Sequence, residues 1–243
     1  MSVKPILFNT EMVRAILEGR KSCTRRMVKP QPDEKHTYPL GFVTDSTEKK
    51  EVGCFGFGID EYGGSIQYVK PPYEPGDILY VRETVWQKIG FYLDVDGETK
   101  PSWYNEFRYV VSDKKPETGW NYSWAKRPSI HMPKEAARIW LKVTDVRVER
   151  LQEIDEYGVW DEGFKFKPPC LTRVSADGHT CELDGPCMSS IKYCDMTMGE
   201  LFGRELWNST IKKSDLDRYG WDANPWVWVV EFERCEKPED NQN

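Results

Sequence analysis

The sequence predicts an α+β fold that is mainly β, and three segments carry the prediction. Residues 137–150 alternate apolar and polar side chains over fourteen positions, the period of a strand with one buried face. Residues 78–84, Ile-Leu-Tyr-Val-Arg-Glu-Thr, follow the turn signal Glu74-Pro75-Gly76-Asp77 and read as a central strand. Residues 225–232 hold two tryptophans and three valines and read as a closing strand.

The remaining elements follow in chain order. Ile6-Leu7-Phe8 is a short apolar run, and Asn9 or Thr10 can cap a helix whose stripe is Met12, Val13, Ile16 and Leu17. Gly19 ends that helix, which puts Arg20 to Arg26 on the loop after it, a natural place for binding chemistry. Residues 31–71, bounded by prolines and rich in Gly, Asp and Lys, read as a peripheral insertion holding a hairpin. A second insertion, 88–133, contains a strand near Phe107 to Val111. Ile154 to Gly163 reads as a short helix with Glu162 just before its glycine stop. Residues 165–199 form a third insertion with four of the seven cysteines, and Leu201 to Ile211 is helical in pattern. The expectation is one domain over 1–234 and a polar tail at 235–243.

With 39% hydrophobic and 13% aromatic residues, the chain has ample material for a packed core. No apolar run reaches the roughly 18 residues of a membrane span, and Glu11, Arg14 and Glu18 interrupt any secretory stretch, so the reading is a cytoplasmic protein without membrane contact. Cysteines in that setting are reduced thiols or metal ligands before they are disulfides. A net charge of −6 argues against indiscriminate coating of nucleic acid. Residues 1–30 nevertheless set seven cations (Lys4, Arg14, Arg20, Lys21, Arg25, Arg26 and Lys29) against Glu11 and Glu18. Such a patch suits a small anion or a short stretch of nucleic acid, and equally a solvated face.

Four stretches in order, Lys4 to Pro30, Pro72 to Trp86, Met132 to Phe164 and Leu201 to Glu233, resemble the ASCH family, most closely its larger phage and prophage members. The pieces that carry the resemblance are residues 19–26 (Gly-Arg-Lys-Ser-Cys-Thr-Arg-Arg), residues 75–84 (Pro-Gly-Asp-Ile-Leu-Tyr-Val-Arg-Glu-Thr) and residues 221–228 (Trp-Asp-Ala-Asn-Pro-Trp-Val-Trp). The resemblance implies a PUA-like small β-barrel flanked by short helices, interrupted here by the three insertions, with a cleft for a nucleoside or RNA. For a phage-encoded chain the location would be the bacterial host cytoplasm. Some small members are amidohydrolases that remove the acyl group from N4-acylcytidine with a Lys-x-x-Thr segment and a later glutamate; the matching positions are Lys21, Thr24 and Glu162. Other members bind RNA or cut it, so a non-catalytic RNA-binding accessory protein and a ribonuclease stand as alternatives.

Amide hydrolysis asks for a nucleophile, a base and a proton carrier. Thr24, Lys21 and Glu162 would take those roles, and no cofactor is needed. A lysine does base chemistry near neutral pH only when burial or like charge lowers it from its ordinary value near 10.4, and Arg20, Arg25 and Arg26 are like charges in the same segment. The same three residues also suit an ion pair with a capped turn. Arg20, Arg25, Arg26, Arg82 and Glu83 are expected ligand contacts, although an Arg-Glu pair also suits a structural role. Trp226, Trp228 and Tyr80 suit base stacking or the core. Cys170, His179, Cys181, Cys187 and Cys194 are of zinc-ligand type but lack a paired Cys-x-x-Cys spacing, so a plain insertion is the competing reading.

Overall fold

A computed structural model describes residues 2–165 and 196–239. The described chain runs β1 (Val3–Leu7), α1 (Thr10–Leu17), β2 (Cys23–Met27), β3 (Tyr38–Phe42), β4 (Phe55–Gly58), β5 (Ile66–Val69), β6 (Ile78–Arg82), β7 (Val85–Leu93), β8 (Thr99–Tyr109), β9 (Tyr122–Arg127), β10 (Trp140–Arg150), α2 (Glu156–Asp161), α3 (Met198–Leu201), α4 (Leu216–Tyr219) and β11 (Trp226–Cys235). Strands dominate and the helices are short, as the periodicity predicts. The strand orders are β1-β6-β10-β11-β2, β3-β4-β5 and β8-β7-β9. No helix among the described residues is long and apolar enough to cross a membrane.

The chain divides into two compact units, the first drawn from Met1–Ser22, Tyr73–Asp145 and Glu231–Asn243, the second from Cys23–Pro72 and Val146–Val230. In the first unit β1 runs parallel to β6, with Ile6 opposite Val81, and β6 pairs antiparallel with the start of β10, Tyr80 opposite Trp140. Ile6, Leu79, Val81, Leu141 and Val143 are buried. Helix α1 begins where the sequence indicates: the Asn9 side chain accepts a hydrogen bond from the Met12 N–H at 2.9 Å, and Gly19, at φ +73°, carries the left-handed stop. The turn before β6 is tied down by Asp77, which accepts from the Ser2 hydroxyl at 2.7 Å, the Glu74 N–H at 3.0 Å and the Lys4 ammonium at 2.7 Å. Burial alone would raise the Asp77 carboxyl, but hydrogen bonds from Lys4, Ser2 and Glu74 outweigh it and lower the pKa to about 2.

The second unit corrects two expectations. Residues 31–71 are neither peripheral nor a single hairpin: β3, β4 and β5 form a three-stranded sheet in which Phe55 and Phe57 are buried. Phe57 meets the Trp226 ring at 5.2 Å and Phe55 meets Trp228 edge-on at 6.1 Å, so both tryptophans serve the core rather than a ligand. Fully burying a side chain of this size contributes about 2–3 kcal/mol. The segment Leu201 to Ile211 is not one regular helix either. It opens as α3, widens into a π-helix over Phe202–Trp207 and closes in a 3-10 turn at Asn208–Thr210. A Cβ placed on Gly203 would lie 2.0 Å from the Trp221 ring, so this close helix-to-indole approach depends on glycine. Beyond α2 the five candidate zinc ligands, Cys170, His179, Cys181, Cys187 and Cys194, lie outside the described residues.

Candidate functional site

The expected loop at residues 20–26 is a strand from Cys23 onward, and its first three residues, Cys23, Thr24 and Arg25, are buried. The basic composition of the segment concealed this, because Arg25 points its charge inward to a carboxylate partner rather than out to water. Thr24 is 1% exposed, Arg25 6% and Glu162 3%.

Glu162 is positioned by α2. Asp155 caps the helix by accepting from the Gly158 N–H at 2.7 Å, and Glu162 closes it, with Gly163 at φ +74° just beyond. The Glu162 carboxylate then accepts a hydrogen bond from the main-chain N–H of Arg25 at 2.5 Å. It therefore lies against the peptide that immediately follows Thr24. The Arg25 guanidinium stands 3.6 Å from the same oxygen and donates to Glu149 at 3.2 Å, while Glu149 also accepts from Arg147 at 2.6 Å. Arg25 and Glu162 are buried while Glu149 keeps some contact with water, and setting the cation between the two carboxylates offsets part of the cost of desolvating the buried pair. Arg25 Nε, by contrast, is buried with no hydrogen-bond partner among the described residues. Gly158 leaves room for this head group: a Cβ there would sit 2.9 Å from Arg25 Nη2.

The other expected site residues are placed as follows. In the first unit Lys21 is 4% exposed, with its ammonium 5.5 Å from the Phe8 ring centre. Arg20 pairs with Glu18, Lys4 with Asp77 and Arg14 with Glu11, so three cations of the expected basic patch already hold carboxylates of their own unit. Arg82 donates to the main-chain oxygens of Met132 and Ile130. Glu83 is 1% exposed, and both of its oxygens accept from Arg138, at 2.8 and 2.9 Å. Tyr80 packs against Trp140, 6.0 Å between ring centres. Arg82 and Glu83 are thus engaged within their own unit, and Arg25 is committed to Glu149 and Glu162 rather than open to a ligand.

Sequence reasoning missed the partner of Glu162. The signal was available only in part, since nothing in residues 23–27 marks Arg25 as the inward member of an arginine pair. It also missed an open cleft of ≈ 880 Å³ in the second unit, lined by Lys35, Arg150 and Arg218 with Asp33 and Asp217. Arg150 lies 4.2 Å from the Trp226 ring centre, and burial lowers its pKa from the ordinary arginine value. Among the described residues no group of three or more His, Cys, Asp or Glu side chains is set to hold a metal ion. Comparison with protein families, with characterised proteins and with solved structures gives no match.

Proposed function

We propose that the chain is a nucleoside-directed amidohydrolase of the ASCH kind, acting on N4-acylcytidine-type substrates, and that its fold is elaborated from a PUA-like barrel. The observation that supports this reading is the 2.5 Å hydrogen bond from the Arg25 N–H to Glu162. It joins a carboxylate 137 positions away in sequence to the peptide that immediately follows Thr24, at the end of the Lys21-x-x-Thr24 segment. The resemblance assigns the Thr24 hydroxyl the attack on the acyl carbon, Lys21 the removal of its proton, and Glu162 the passing of that proton to the departing cytosine amine. Water then releases the acyl group from Thr24 by the reverse roles. Arg25 holds the Glu162 carboxylate in place, so its part is positioning.

A second reading, a non-catalytic protein that holds RNA, is favoured by the burial of Thr24 at 1% exposure, since a nucleophile has to be reached. One assay separates the two: cytidine released from N4-acetylcytidine and longer N4-acyl homologues by wild-type protein, Lys21→Ala and Thr24→Ala, with the fold of each checked by circular dichroism. Turnover that disappears in both folded variants supports the hydrolase. Absence of turnover on every acyl chain moves the RNA-holding reading to first place, and cleavage of short RNA that needs Lys21 but survives Thr24→Ala would mark a ribonuclease.

A further inference from the structure

The sheet of β7, β8 and β9, which lies wholly in the first unit, has two unlike faces. One begins at buried Val85, whose β8 neighbour is Tyr109, and packs with Met132 and Ala136, joined by Phe107 opposite Gln87. Side chains alternate along a strand, so Trp86, Lys88 and Tyr92 share the other face. Their cross-strand neighbours lie on that face too: Lys126 and Arg108 beside Trp86, Trp124 beside Lys88, and Lys100 beside Tyr92.

Rings and cations interleave there at close range. The Lys88 ammonium lies 4.8 Å from the Tyr122 ring centre and 5.4 Å from that of Tyr104, and the Arg108 guanidinium is 5.6 Å from Trp124. Lys126 and Lys115 approach Trp86 at 6.0 and 5.8 Å. Tyr92 remains 51% and Tyr104 46% exposed, and Trp120, in the chain leading into β9, is 96% exposed. The core makes little use of these rings. Two carboxylates meet the cations of this face, Glu106 at Lys88 and Asp94 at Lys100. Arg108 and Lys115 also line an open depression of ≈ 700 Å³ with Lys114, Asp113 and Glu117.

We propose that this face binds a single-stranded polynucleotide, with bases stacked on the tyrosine and tryptophan rings and phosphates held by the lysines and arginines. Charge complementarity selects a polyanion, and the half-exposed rings select one with free π-faces, which a duplex or an acidic peptide does not offer. The nine residues of β7 extend about 30 Å, a length suited to a site of several nucleotides. Neither a ring face nor an ammonium distinguishes ribose from deoxyribose, so both sugars are accepted. The inference does not depend on the reading of Thr24 and Glu162.

The test is fluorescence anisotropy with labelled rU and dT twenty-mers and a duplex of equal length, at 50 and 200 mM salt. Expected are binding of both single strands within several-fold of each other and weaker binding of duplex. Arg108→Ala with Lys126→Ala should weaken binding about ten-fold or more and flatten the salt slope by about 1.4. Tyr92→Ala with Trp120→Ala, both at exposed positions, should cost about ten-fold or more at unchanged slope. Cytidine release from acylcytidine should be the same in both double variants as in wild type. No binding at 50 mM salt, a preference for duplex, or affinity unchanged in both double variants would overturn the proposal.

Discussion

Two carboxylates show how position determines what a charge does here. Glu162 shares a buried cation with Glu149, so Glu162→Ala leaves Arg25 half compensated and should cost about 3 kcal/mol in urea denaturation. Glu162→Gln keeps an acceptor for the Arg25 N–H and should cost less; equal losses would mean that the hydrogen bond contributes little. Asp77 is a case of linkage. Its folded pKa of about 2 lies below the ordinary 3.8, so it stabilises the fold fully above about pH 4 and loses that contribution as the pH falls through about 2. The size is about 2 kcal/mol. Asp77→Asn should therefore lower stability at pH 7 and remove this component of the acid dependence between pH 4 and 2. An unaltered acid profile would assign the effect to other carboxylates.

Elements were legible where one physical signal dominated. Alternation located β10 within three residues of its start, and the Asn9 cap and Gly19 stop bounded α1. The sheet of β3, β4 and β5 was illegible because Phe55-Gly56-Phe57-Gly58 is buried at every position, so no polar face exists to show the period. Strand β2 was mistaken for a loop because three charged or polar residues in a row conceal the burial of Thr24 and Arg25. Its continuation is held by a side chain: Gln31 accepts from the Trp226 N–H and donates to the Trp226 oxygen, both at 2.8 Å, in the manner of a neighbouring strand. Gln31→Ala should cost about 1–3 kcal/mol, because buried groups of β11 lose partners. Gly203→Ala should cost at least as much, about 3 kcal/mol, by pressing a methyl group into Trp221. Thermal unfolding of the two variants checks both figures, and a Gly203→Ala protein as stable as wild type would show that the indole moves freely aside.

At the scale of the whole molecule, strand periodicity read the mainly β character correctly, while the two units, interleaved along the sequence, escaped it because sequence order carries no mark of which distant strands pair. The first unit needs β1 from the start of the chain beside β6, and the second needs β2 in the same sheet as β11. Expressed separately, 1–72 and 73–243 should each lack a stable fold by circular dichroism and amide exchange; a folded 73–243 fragment would show that β1 is dispensable. The candidate site was legible to the extent that Thr24 and Glu162 were named together by their resemblance to a known pattern, whereas Arg25, expected to contact a ligand, is held by Glu149 and Glu162 instead. The topology also bears on synthesis. Val28 hydrogen-bonds to Trp226, about 200 positions later, so a ribosome adding 5–20 residues per second holds β2 and its neighbours without their final partners for roughly 10–40 s. During that interval Phe42, Phe55 and Phe57 have no Trp226 or Trp228 to pack beside, which makes the growing chain, rather than the finished one, the form most in need of a chaperone.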